Sequence, residues 1–211
     1  MSGKYSTDQE EFWAGSFGDE YSVRNTGDDW IAANCALFSK VLGRTRSVRS
    51  VIEFGANIGL NLRAVDLLLP GCQLAAVEIN ASAVERLRTW GRCDVHAHSI
   101  IDFEPDREHD FVLIKGVLIH IHPDYLQKVY ERLYRSSGRY ICVVEYYSPT
   151  PVALSYRGHA DRLFKRDFAG EMLDSYRDLR LVDYGFCYRR DPNFRQDDVT
   201  WFLLEKQQPP G

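Results

Sequence analysis

No apolar run in this 211-residue chain approaches the roughly 20 residues needed to cross a bilayer. The longest, Phe111–Ile121, is interrupted by Lys115 and His120, so no membrane partner is expected. No two cysteines form a CxxC pair: Cys35, Cys72, Cys93, Cys142 and Cys187 are scattered, which disfavours a zinc knuckle. An odd number of thiols in mostly apolar settings suits a reducing cytoplasm, the expected location. Met1 to Glu11 is polar and acidic, unlike a signal peptide. Positive charge is not in excess: 26 Lys and Arg face 30 Asp and Glu, for a net charge of −4. A general nucleic-acid binder would be basic, so that partner is not expected either. Internal repeats and long low-complexity linkers are also missing. What remains is one domain whose core can bury roughly 70% of the unfolded surface, with an ordinary 45% hydrophobic content.

What is present is alternation. Asp28–Leu42 reads as a helix capped by Asp28 or Asp29 and stopped by Gly43. Strand Val48–Phe54 leads to helix Ile58–Leu69, and strand Leu74–Ile79 to helix Ala81–Trp90. A short strand near Asp94–Ala97 and an apolar one, Asp110–Ile114, follow. Helix Asp124–Ser136, ended by Gly138, gives way to strand Tyr140–Glu145. Tyr146–Arg166 is expected to be a long polar loop, then helix Asp167–Tyr176 and strands Leu181–Tyr188 and Val199–Glu205 close the chain. Polar Asp191–Asp198 joins those strands as an antiparallel hairpin. The tail Gln207–Gly211 is expected to fray. Strands alternating with helices predict an α/β fold: a three-layer, mostly parallel sheet covered on both faces. Ligands of such sheets bind at the carboxyl ends of the strands, where strand order reverses.

The most informative stretch is Val51-Ile52-Glu53-Phe54-Gly55-Ala56-Asn57-Ile58-Gly59-Leu60-Asn61. It predicts a strand entering a glycine turn and then a helix. Gly55 and Gly59 are expected to let a ligand lie against bare backbone. The helix aims free N–H groups at the turn. The pattern is not GxGxxG, because Asn57 stands where the second glycine belongs, and no Gly-Lys-Ser/Thr follows as in a P-loop. Glu78 ends the next strand, where a carboxylate can accept both ribose hydroxyls of a nucleoside; alternatively it is a solvated strand-end Glu.

Glu-x-Gly-x-x-x-Gly-x-Asn with an acid ending the second strand resembles the class I S-adenosylmethionine (SAM)-dependent methyltransferases. The resemblance covers about Val48 to Glu205 and implies a Rossmann-like, seven-stranded sheet with a reversed last strand. It implies SAM as cofactor. Glu53, Gly55, Ala56, Asn57, Gly59 and Asn61 would approach the methionine moiety, Glu78 and Ile79 the ribose. His98, Ser99 and Ile100 would meet the adenine, where many relatives carry Asp. Lys115 and Gly116 would border the same site. A second resemblance is more specific. Glu11 to Tyr21 with Arg24-Asn25, Glu145 to Pro151, Tyr156-Arg157-Gly158-His159 and Phe164 to Glu171 are similar to segments of the pseudaminic acid biosynthesis-associated methyltransferases. That implies a small-molecule acceptor, such as a nonulosonic sugar.

Methyl transfer asks for an in-line approach at roughly 3–3.5 Å, exclusion of water and, for an oxygen or protonated nitrogen, a base. His120 and His122 follow the fourth strand and are the base candidates; alternatively one packs beside the helix beginning at Pro123. The strand end lacks Asn/Asp-Pro-Pro-Tyr, which favours a small molecule. His-x-His without a third ligand makes a poor metal site, so no metal is expected. Tyr146, Tyr147, Tyr156, Arg157, His159, Arg162, Lys165 and Arg166 make the expected loop aromatic and basic, suited to an anionic acceptor; the alternative is a solvated face paired with Asp161 and Asp167. Trp13, Phe17 and Tyr21 are too aromatic for a disordered tail. They are expected to form a lid, with Arg24 on the cofactor carboxylate, or else an apolar strip on the sheet edge; Trp13 and Phe17, four apart, fit one helical face.

The expected plan is one domain over 1–211: an N-terminal helical lid at 1–45, a SAM core at 48–145, an acceptor-binding loop at 146–166, and a closing helix and hairpin at 167–205. Competing readings are a methyltransferase of another small-molecule pathway, a nicotinamide-dependent oxidoreductase and a non-catalytic SAM-binding module. Monomer and homodimer are both open.

Overall fold

The computed structural model describes residues 5–24, 26–156 and 159–207, with the side chains of 154–162 outside that description. The tail beyond Gln207, and Asn25, lie outside it as well. Three helices come first: α1 (Asp8–Ala14), α2 (Ser16–Arg24) and α3 (Asp28–Leu42). Then follow β1 (Ser50–Phe54), α4 (Leu60–Leu68), β2 (Gln73–Val77), α5 (Ala81–Trp90), β3 (Asp94–His96) and β4 (His109–Lys115). A 3₁₀ turn at Leu118–His120 precedes α6 (Pro123–Ser136) and β5 (Ser137–Glu145). Next are β6 (Val152–Tyr156), β7 (His159–Lys165), α7 (Phe168–Ser175), β8 (Leu179–Cys187) and β9 (Val199–Lys206).

Seven strands form one sheet in the order β3-β2-β1-β4-β5-β9-β8. All pairings are parallel except those of β9, which runs against both β5 and β8. This is the expected Rossmann-like sheet with its late antiparallel hairpin. Order reverses between β1 and β4, so their carboxyl ends part there and open a crevice.

Alternation along the strands builds two cores. Val51 and Leu113 pack with Leu37, Phe38, Leu62 and Leu87 on the α3–α5 side. Ile52, Ile114 and Ile141 pack with Leu126, Val129, Phe168 and Met172 on the α6–α7 side. Central strands buried on both faces explain why their sequences are largely apolar. By the same alternation Glu53 and Lys115 fall on the α3 side, two charged groups at the ends of otherwise apolar strands.

Three expectations change. Tyr146–Arg166 is not a loop: β6 and β7 pair there as a separate antiparallel hairpin. Its apolar positions Val152, Leu154, Leu163 and Phe164 are masked in sequence by prolines and charges. Gly138 does not end α6; the chain passes from Ser136 straight into β5, and Gly138 lies within the strand. Asp28 and Asp29 lie in the first turn of α3, whose N-cap is Gly27 with no side-chain bond. Among the described residues no helix is long and apolar enough to cross a membrane.

Candidate active site

A cavity of about 540 Å³ opens at the crevice between β1 and β4. That lies within the range of small-molecule sites, ~300–1,000 Å³. Its first wall is the turn after β1. Gly55 N–H (2.8 Å) and Ala56 N–H (3.3 Å) both donate to the Val77 carbonyl, which fastens the turn to the end of β2. Gly55 and Asn57 have φ of +73° and +48°. A left-handed backbone is rare for a residue other than glycine, and Asn57 is held by two neighbours. Its N–H donates to Glu78 Oε2 at 2.7 Å, and its Oδ1 accepts from Ser22 Oγ at 2.6 Å.

The two glycines serve different ends. A Cβ on Gly55 would sit 2.6 Å from Val117 Cγ2, so its bareness lets the turn pass close to the segment after β4. A Cβ on Gly59 would sit 2.7 Å from Leu87 Cδ2. Gly59 therefore serves helix packing between α4 and α5, and it does not line the cavity. The expectation that it gives room to a ligand is corrected.

Glu78 lines the cavity and is 7% exposed. Oε1 accepts from Asn80 N–H at 2.8 Å and Oε2 from Asn57 N–H. Burial raises its pKa, against the opposing pull of the N–H groups of Asn80, Asn57 and Ile79. Glu53 lies behind the wall, fully buried, rather than on it. One oxygen accepts from Asn61 Nδ2 at 2.6 Å, while Oε2 has no partner. Burial pushes its carboxyl up to about 8 against the pull of Asn61 and Lys115. Lys115 lines the cavity; burial lowers its pKa, while Glu53 and then Asp197 raise it.

The N-terminal helices cover this wall. Thr7 and Glu10 form a capping box at α1, and Glu10 Oε1 accepts from Ser99 Oγ at the end of the β3 segment. Asn80 Nδ2 donates to the Trp13 carbonyl (3.3 Å) and Asp19 Oδ1 (3.0 Å), and Arg86 Nη1 donates to the Ser22 carbonyl at 3.0 Å. Gly15 separates α1 from α2, so Trp13 and Phe17 do not share one helical face as expected. They meet edge-on across the break, with ring centroids 5.3 Å apart.

The second wall follows β4. Glu145, ending β5, accepts from Val117 and Leu118 N–H with Oε1, each at 2.8 Å. This shapes the 3₁₀ turn that carries His120, a residue 8% exposed. The imidazole lies 4.7 Å from the Trp13 ring, centroid to centroid. His122 lines the cavity too, but its Nδ1 accepts from Asp124 N–H at 3.3 Å and caps α6. That nitrogen is committed to the helix.

Of the expected site residues, the cavity gathers Trp13, Tyr21, Arg24, Gly55, Ala56, Asn57, Asn61, Glu78, Ile79, Ser99, Ile100, Lys115, Gly116, His120, His122 and Tyr146. Phe17, Tyr147, Lys165 and Arg166 do not line it. Phe17 stacks on Phe12 at 4.1 Å. Tyr147 is 44% exposed with its ring 5.9 Å from Phe202. Lys165 Nζ sits over the Tyr146 ring at 5.0 Å, and Arg166 pairs with Glu171 at 2.6 Å. The side chains of Tyr156, Arg157 and His159 lie outside the described residues. Sequence reading missed Trp30, Asn34, Leu163, Gln196 and Asp197, all on the wall. Gln196 Nε2 donates to Asn34 Oδ1 at 2.9 Å, both residues buried, across 162 positions. Asn34 left one trace, an amide among the apolar positions of α3.

No protein-family model matches the sequence, and none of the curated proteins matches it. Solved structures do. The Burkholderia thailandensis 1,6-didemethyltoxoflavin N1-methyltransferase, bound to its substrate and S-adenosylhomocysteine (SAH), aligns at a TM-score of 0.70 with 16% identity, over 99% of this chain and 94% of that one. The plantazolicin methyltransferase with SAH aligns at 0.66, with 13% identity over 95% and 94%. The Synechocystis magnesium protoporphyrin IX methyltransferase with SAM aligns at 0.67, with 11% identity over 97% and 100%. The chain therefore has the fold of class I SAM-dependent small-molecule methyltransferases.

Proposed function

We propose that this chain is a SAM-dependent methyltransferase that acts on nitrogen or oxygen of a small polar metabolite. The observation that carries the reading is Glu78, a buried carboxylate on the wall of a nucleoside-sized cavity, braced against a glycine turn. Its two oxygens take backbone N–H groups from Asn57, Ile79 and Asn80, and the carboxylate keeps lone-pair capacity for the ribose hydroxyls. The turn at Gly55–Asn57 flanks the methionine portion. Lys115 and Arg24 are cations available to its carboxylate, and Ser99 and Ile100 border the adenine. The bound cofactor supplies an electrophilic methyl group on a sulfonium. His120 takes the proton that the acceptor heteroatom loses as the S–CH₃ bond breaks and the N–CH₃ or O–CH₃ bond forms. The proton would then pass from His120 to solvent, the methyl loss leaving the cofactor sulfur neutral. Trp13 and Tyr21 of the lid keep water from the reacting atoms. Support also comes from the solved neighbours, whose names record methylation of a toxoflavin precursor, plantazolicin and magnesium protoporphyrin IX.

A nonulosonic sugar acceptor rests on the sequence resemblance of the segments around Glu11–Tyr21 and Glu145–Pro151. A nicotinamide-dependent oxidoreductase is the reading from another class, and Asn57 in place of the middle glycine speaks against it. Titration calorimetry with SAM, SAH and NAD tests the proposal. Micromolar binding of SAM and SAH without NAD is expected; binding of NAD alone would end it. Binding of SAM with no turnover of any acceptor would favour a non-catalytic module.

A further inference from the structure

The half of the cavity beside β4 and β5 has a different character from the half that Glu78 borders. Val117 and His120 after β4, Tyr146 after β5 and Leu163 from β7 line the cavity, and the lid that covers the Glu78 wall also brings the Trp13 ring, with Tyr21 beside it, against His120. Trp13 stands edge-on to Tyr21 at 5.3 Å and against His120 at 4.7 Å. Val117, Tyr146 and Leu163 all pack on the α6-side core, and β7 packs against the 3₁₀ turn. Three rings and two aliphatic side chains thus line the cavity together with one imidazole, which Trp13 flanks.

The cations expected to grip an anion are engaged elsewhere among the described side chains. Arg166 is paired with Glu171, whose other oxygen accepts from Tyr130 OH at 2.8 Å. Lys165 lies over the Tyr146 ring and off the cavity wall. The two cations on the wall belong to other parts of it. Lys115 shares the α3 side with Glu53, and Arg24 lies over the Phe17 ring at 5.7 Å. A carboxylate-rich sugar seated here would lose water without gaining ion pairs from these groups. A flat π-system would instead bury its faces against Trp13, Tyr21 and Tyr146.

We infer that the acceptor is a planar, aromatic or heteroaromatic small molecule, seated between Trp13 and Tyr21 of the lid and Tyr146 and Leu163, with its reacting N–H or O–H toward His120. This rests on the methyltransferase reading and adds the substrate class to it.

The test uses the full chain saturated with SAH, so cofactor binding is measured first and separately. Loss of SAH binding would sink the methyltransferase reading itself. With SAH bound, calorimetry and tryptophan fluorescence are run with 7-hydroxycoumarin, 6-hydroxyquinoline and lumazine as planar probes, and N-acetylneuraminic acid as the sugar-acid probe. At least one planar probe is expected to bind while the sugar acid does not. Trp13→Leu and Tyr146→Leu should each weaken the bound planar probe roughly fivefold to tenfold, the loss of one aromatic contact, with SAH affinity within twofold of the parent. Leu163→Ala should weaken the same probe and guards against disruption of the lid by the Trp13 change. The inference is overturned if the sugar acid binds and the planar probes do not, if no planar probe binds, or if the three variants leave probe affinity unchanged.

Discussion

The two halves of the cavity are made from different materials. Beside β1 and β2 the wall is largely backbone, fixed by N–H groups of Gly55, Ala56, Asn57 and Asn80 on Val77 and Glu78. Beside β4 and β5 it is made of side chains from segments far apart in sequence: Trp13, His120, Tyr146 and Leu163. A backbone wall cannot be altered without bending the sheet ends that carry it. A side-chain wall changes one residue at a time while the strands stay in place. The first suits a ligand common to a whole fold, the second a ligand particular to one chain.

The largest expected effect breaks the backbone half at its brace. Glu78→Ala removes both oxygens proposed to accept from the ribose and frees the N–H groups of Asn57 and Asn80. At ~1.5–3 kcal/mol for each hydrogen bond to a charged group, SAM affinity should fall roughly a hundredfold or more. Calorimetry reads this directly, and unchanged affinity would remove Glu78 from the cofactor site. Next in size is Gly55→Ala, placed where the two halves touch. The φ of +73° costs an alanine about 1–2 kcal/mol, and its methyl meets Val117 at 2.6 Å. A fall in Tm of several degrees is expected, at about 2–4 °C per kcal/mol for a chain of this size. Adding Val117→Ala should recover the part due to the clash and leave the part due to φ. A double variant no more stable than the single one would mean that Val117 is not the obstacle.

A third change sharpens the contrast through pH. Burial lifts the Glu145 carboxyl from 4.5 to about 7, against the pull of the Val117 and Leu118 N–H groups. The folded chain therefore holds this proton more tightly than the unfolded chain. Stability from that source is complete below about 4.5 and is lost as pH rises toward 7. Glu145→Gln keeps an oxygen for Val117 and Leu118 but cannot ionise. Its Tm should match the parent near the acid end of that window and exceed it by a few degrees at neutral pH. Parallel Tm–pH curves would show that Glu145 does not titrate there. Glu78 lies at the far wall, so SAM affinity should change little.

How much of this was legible differs between the halves for the same reason that their materials differ. Strands buried on both faces are mostly apolar, so Val51–Phe54, broken only by Glu53, and Phe111–Ile114 announce themselves, and a turn residue such as Gly55 is conspicuous between strand and helix. Glu78 follows by position alone. The side-chain half depends on distance folded to zero. Nothing local joins Asn34 to Gln196, or Trp13 to His120. The β6–β7 hairpin was concealed because Pro149, Pro151 and a run of basic residues outweigh Val152, Leu163 and Phe164 in any local reading. Gly59 misled in the opposite direction: its motif position is correct, but the space it spares is filled by Leu87.

The smallest expected effect tests whether the basic residues of that hairpin belong to the acceptor wall at all. Arg166 and Glu171 are each about a quarter exposed and lie 2.6 Å apart, and Glu171 also receives the Tyr130 hydroxyl. A pair so placed is partly screened, which limits its worth to about 1 kcal/mol or less. Removing Arg166 leaves Glu171 with the tyrosine and some water, so Arg166→Ala should lower Tm by no more than a few degrees. The planar probes should bind the SAH complex as before, because the side chain that would be lost points its charge at Glu171 and not at the cavity. A clear drop in probe affinity with Tm unchanged would reverse the assignment. It would mean that Arg166 leaves Glu171 when a ligand arrives, and that the side-chain half recognises charge after all.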